Sequence, residues 1–69
     1  MKSSVFLIEI KDSISKVISA YGYNTDFTNM EDSFDNTLKN GRVIYQTQSI
    51  DSSTGTIFLT ISLEYIQKS

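Results

Sequence analysis

Four carboxylates, Asp26, Glu31, Asp32 and Asp35, fall within one short stretch of this 69-residue chain. Clusters of this kind can offer oxygen ligands to a hard cation. The spacing does not fit an EF-hand loop. Counted from Asn24, the sixth position is Asn29 where Gly is needed, and the twelfth is Asp35 where Glu is needed. Paired carboxylates also hydrolyse glycosides, but only across a cleft that holds sugar, and so short a chain offers no obvious one. The cluster therefore reads as a solvated acidic loop, and no metal or cofactor is expected.

Other chemistries lack their side chains. The chain has no His and no Cys, which removes the usual bases and thiols of nucleophilic catalysis. Ser–Lys neighbours such as Lys16 with Ser15 or Ser19 are expected by chance in so Ser-rich a sequence. The glycines Gly22, Gly41 and Gly55 are isolated, so no phosphate-binding loop is present. The basic residues are scattered and the net charge is −2, which argues against nucleic acid as the main partner. No enzyme is expected.

Length and composition set the scale. A chain of 69 residues makes one domain. Without Cys or His it has neither disulfide nor zinc to supplement a small core, which leaves self-association or a larger partner. Residues 5–8 are the longest early apolar run, too short for a signal-peptide core or a membrane span, so a cytoplasmic protein without membrane contact is expected. The bias toward Ile, Asn, Ser and Thr suits an AT-rich genome, bacterial or phage.

These side chains must be positioned by a few elements. On a helical wheel Phe6, Leu7, Ile10, Ile14, Val17, Ile18 and Tyr21 share one arc, which predicts an amphipathic helix over residues 4–22. Ser4 would cap it and Gly22 would end it. A competing reading makes residues 5–10 a strand, with Asp12 capping a shorter helix. Residues 23–33 read as a long loop, with a capping box from Thr28 to Glu31. Residues 34–39 read as a strand turned at Asn40-Gly41, or as a second helix. Residues 42–50 and 56–66 alternate as strands, the second with Ile57, Leu59, Ile61, Leu63 and Tyr65 on one face. An odd-length loop before Thr56 would keep Val43, Tyr45 and Leu63 on one face. The expected fold is α+β: one N-terminal helix on a three-stranded antiparallel meander (αβββ), with ααββ as the alternative.

Function is then read from surfaces. Ile44, Ile50, Phe58 and Ile66 are expected together on the face away from the helix, as a contact patch. The strand over residues 56–66 is expected at the edge, open to pairing with a second copy. Tyr23 and Phe27 sit in the acidic loop with Asp26, Glu31, Asp32 and Asp35, where the aromatics are expected to plug the end of the helix–sheet core, or else to give a partner a second place. The expectation is a small non-catalytic protein-interaction module, homodimeric through its C-terminal strand, of bacterial or mobile-element origin. The alternatives are a structural subunit of a phage tail or neck, and an acidic nucleic-acid mimic or nuclease inhibitor.

Overall fold

The computed structural model describes residues 2–23, 25, 26 and 28–66. Two hairpins flank one helix: β1 (Lys2–Lys11), β2 (Ile14–Gly22), α1 (Met30–Lys39), β3 (Gly41–Asp51) and β4 (Thr56–Tyr65). The strands form one antiparallel sheet in the order β2-β1-β4-β3. The helix crosses one face of it, from one outer strand to the other.

The expected N-terminal helix is therefore overturned: residues 4–22 form most of a hairpin. Asp12 and Ser13 make its two-residue turn, both with positive φ (52° and 66°), the turn whose twist matches a hairpin. β-Branched Val5, Ile8, Ile10, Ile14, Val17 and Ile18 favour the extended chain. The helical arc mixes the two faces of the hairpin, with Ile14 and Tyr21 exposed and Phe6 and Val17 buried, and a β-bulge breaks the period of two in β2. Ile8 pairs with Val17 and Leu7 with Ser19, so Ile18 is an extra residue in β2. The bulge lets Val17 and Ala20, three apart, lie on the same face. Along β1, Ser4, Phe6 and Ile8 are buried on that face.

The second correction concerns residues 34–39, which are helical. Asn40-Gly41 is not a hairpin turn. Asn40 caps α1 and Gly41 begins β3. A Cβ at Gly41 would run into the carbonyl oxygen of Glu64 and lie 2.8 Å from that of Thr37. Gly22, with φ of +113°, ends a strand rather than a helix, and Tyr23 N–H then donates to the Ser3 carbonyl at 3.0 Å.

The core lies between α1 and one half of the sheet. Phe6, Ile8, Val17, Ala20, Ile61 and Leu63 are buried, with Ile10, Met30, Phe34 and Leu59 packed around them. The Phe34 ring meets the Phe6 ring edge-on, 5.2 Å between centroids and 72° between planes, a favoured aromatic geometry. A ten-residue helix is about 15 Å long, while a ten-residue strand runs about 34 Å. The cross-strand row Ile10–Ile57–Ile50 therefore lies past the buried set, with Ile50 62% exposed.

The β3–β4 register also departs from expectation. Asp51 pairs with Thr56 across a four-residue loop, and an even loop alone would set Ile44 against Leu63. Instead Ile44 is the extra residue of a second bulge, Val43 pairs with Leu63, and Tyr45 pairs with Ser62. Tyr45 thus faces away from Val43. Ile50 pairs with Ile57 on the helix face, so Ile50 and Phe58 are on opposite faces and form no joint patch.

Thr37 is fully buried and its hydroxyl oxygen has no hydrogen-bond partner. A buried hydroxyl without a partner costs about 1–3 kcal/mol. Thr37→Val, which keeps the shape and removes the hydroxyl, is expected to stabilise the fold by about 1 kcal/mol in urea unfolding. Leu63→Ala, emptying a fully buried site, is expected to cost about 2–5 kcal/mol in the same measurement.

Candidate functional site

Two places bring the singled-out residues together: a polar hollow before and along α1, and the outer edge of β3.

The hollow has a volume of about 250 Å³ and is lined by Thr25, Asp26, Asn29, Asp32, Ser33 and Asn36. Local hydrogen bonds build it. The Asp26 carboxylate accepts from the Thr28 hydroxyl at 2.6 Å and from its N–H at 2.9 Å. Asp26 N–H donates to Ser33 Oγ at 2.8 Å, and Asn29 Nδ2 donates to Asp32 Oδ2 at 2.7 Å. The Thr28 side-chain bond, then its backbone bond, holds the Asp26 carboxyl below its ordinary 3.8. Asp51 is lowered in the same way by Ser53, side chain first, at the tip of the β3–β4 hairpin. These bonds close each loop on itself or tie it to the first turn of α1. No group of three or more metal-ligating side chains converges among the described residues.

The four carboxylates do not act as one set. Asp26 and Asp32 line the hollow, whereas Asp35 is exposed on α1 and does not. Glu31 reaches across to β2, where its Oε1 accepts the Val17 N–H at 2.8 Å. The expected capping box is thus replaced: Glu31 satisfies an amide of the outer strand β2, beside the bulge, and the Asn29 side chain makes no cap bond to the helix. Tyr23 is tied to the sheet's end. Its ring lies 5.3 Å from that of Tyr65 and 4.6 Å from Lys2 Nζ. Phe27 lies outside the described residues.

The second place is an edge, and not the expected one. β4 lies between β1 and β3, so both sides of the C-terminal strand are already paired. The outer strands are β2 and β3. Every β3 residue beyond Gly41 is exposed, whereas none in β4 is. Val43, Ile44, Tyr45 and Ile50 are 46%, 44%, 61% and 62% exposed. β3 contains no Pro, and its only charges are Arg42 and Asp51 at its two ends. Arg42 Nη2 lies 3.3 Å from Glu64 Oε1 on β4. An edge of this length usually carries a central charge, a Pro or a cover. In β2 Glu31 takes up one main-chain amide, and among the described residues no side chain does so in β3.

Of the expected contact residues, Ile44 and Ile50 fall on this edge strand. Phe58 is half-buried on β4, and Ile66, just beyond β4, is 48% exposed and donates its N–H to the Asn40 carbonyl at 2.9 Å. Sequence reasoning passed over Val43, Tyr45, Arg42 and Asp51. The signal for them was a β-branched and aromatic strand with opposite charges at its ends. No protein family, curated protein or solved structure matches the chain.

Glu31→Ala removes the acceptor of the Val17 amide and is expected to cost about 1.5–3 kcal/mol, with faster exchange of that amide. Glu31→Gln keeps an acceptor and is expected to retain part of the loss. The two lowered carboxyls hold their loops fully above their ordinary pKa, and that hold is lost as pH falls through the depressed values. The Thr28 and Ser53 amide resonances are expected to titrate with midpoints below 3.8, and Asp26→Asn to abolish the first without moving the second.

Proposed function

We propose that the chain is a small protein-interaction module without chemistry of its own, which works by taking a strand of another chain onto β3. The observation that carries this reading is the contrast between two outer strands of one sheet. β2 is met by Glu31, while β3 offers a long exposed ladder with apolar side chains on both faces. Strand addition draws affinity from the free main-chain groups and specificity from the alternating side chains. The shallow polar hollow supports no competing reading, because its hydrogen bonds hold the loop to itself and to the start of α1.

On this reading the module works in the cytoplasm, as an accessory or inhibitory protein of bacterial or mobile-element origin. The AT-rich compositional bias supports the origin. A ring-forming phage subunit would need both outer strands as complementary edges, and Glu31 stands at one of them. A nucleic-acid mimic would need its carboxylates free on one surface, and Glu31 is already bound to β2.

Tyr45→Lys places a charge at the middle of the exposed strand without touching the core. Tagged chains in native host extract should lose their partner by about ten-fold or more, with circular dichroism unchanged. Ile14→Lys, at an equally exposed site on β2, should retain it. Equal retention by Tyr45→Lys would remove the basis of the reading.

A further inference from the structure

We infer that the strand β3 accepts is β3 of a second copy, antiparallel, with Thr47 on the two-fold axis. This rests on the edge reading above and adds to it the partner and the register.

Antiparallel pairing about a two-fold axis reverses one strand against the other, so the two ends of β3 meet. Facing residues must also share a face of the sheet. Within β3, Val43, Gln46, Gln48 and Ile50 lie on the helix face, opposite Leu63, Ile61, Leu59 and Ile57. Arg42, Tyr45, Thr47 and Ser49 lie on the other, opposite Glu64, Ser62, Thr60 and Phe58. With Thr47 facing Thr47 of the second copy, Gln46 faces Gln48 and Tyr45 faces Ser49. The extra residue Ile44 then shifts the count by one, so that Val43 faces Ile50 and Arg42 faces Asp51. Every facing pair in this register lies on a common face.

Two features select this register. It sets the only cation of β3 against its only anion, twice over, at the two ends of the interface. It also continues the apolar rows. Ile10–Ile57–Ile50 of one copy, the row past the buried core, runs on into Val43–Leu63 of the other. Ile50 then sits against the half-exposed Val43, whose own cross-strand neighbour Leu63 is buried in a core. Moving the register by two residues either way breaks both the charge match and the Val43–Ile50 pair. The result is a continuous eight-stranded sheet built from two four-stranded ones, with both helices on the same face. A two-fold contact of this kind closes on itself and leaves β2 as the outer strand at both ends.

The chain has no Cys, which makes the register readable by cross-linking. In full-length protein, Thr47→Cys should form a disulfide-linked dimer rapidly on mild oxidation. Ser15→Cys, on the exposed outer strand β2, should cross-link at least ten-fold more slowly. Light scattering from micromolar to near-millimolar protein should show a monomer–dimer equilibrium. Asp51→Asn keeps an oxygen for Ser53 and removes the charge, and should weaken the dimer roughly three- to ten-fold. A dimer in which Thr47→Cys cross-links no faster than Ser15→Cys overturns the register. A monomer throughout overturns self-pairing. The strand-addition reading then stands or falls separately, on whether Tyr45→Lys releases the partner held in host extract.

Discussion

The contact between Phe34 and Phe6 sets most of the rest. The helix face turned to the sheet carries Met30, Ser33, Phe34 and Thr37, so one large ring supplies most of its apolar grip. Phe6 lies at the middle of β1, an inner strand, and is fully buried. With that edge-on contact made, α1 lies over one end of the sheet. Around it the chain keeps small residues where backbones approach, as at Gly41 against the Glu64 carbonyl. A short helix anchored at one point leaves the other half of the strands unroofed. The exposed isoleucine row follows from this arithmetic of lengths.

Two bulges fit the strands to this anchor. Ile18 in β2 turns Val17 and Ala20 to the same side, so both reach the core. Ile44 in β3 compensates for the even hairpin loop and returns Val43 to Leu63. Both extra residues lie in outer strands, where a bulge disturbs one ladder instead of two. The two edges nevertheless differ. Beside the first bulge Glu31 takes up a main-chain amide, and beside the second no side chain does so among the described residues. The connection through α1 starts at β2, and its first turn lies close enough for Glu31 to reach that strand. By its last turn the helix is running directly into β3 and has only Lys39 to offer there as a charge.

The chain itself carried the identity of β4, because an inner strand with one face in the core must alternate, and Ile57 to Tyr65 do so without a break. It also carried the exclusion of thiol and imidazole chemistry, which depends on composition alone. The N-terminal hairpin was hidden because apolar residues stand on both of its faces, which blurs the period of two, because the bulge at Ile18 interrupts that period, and because Asp12-Ser13 lacks the glycine that usually marks such a turn. Asn40-Gly41 reads equally as a turn and as a helix end, since both need a residue free of a Cβ. Which strands are outermost, and that Glu31 belongs to β2 rather than to the acidic loop, was decided only by tertiary structure. Strand order is fixed by partners far apart in sequence, Lys2 with Tyr65 and Val17 with Glu31, and no local pattern records a pairing over that distance.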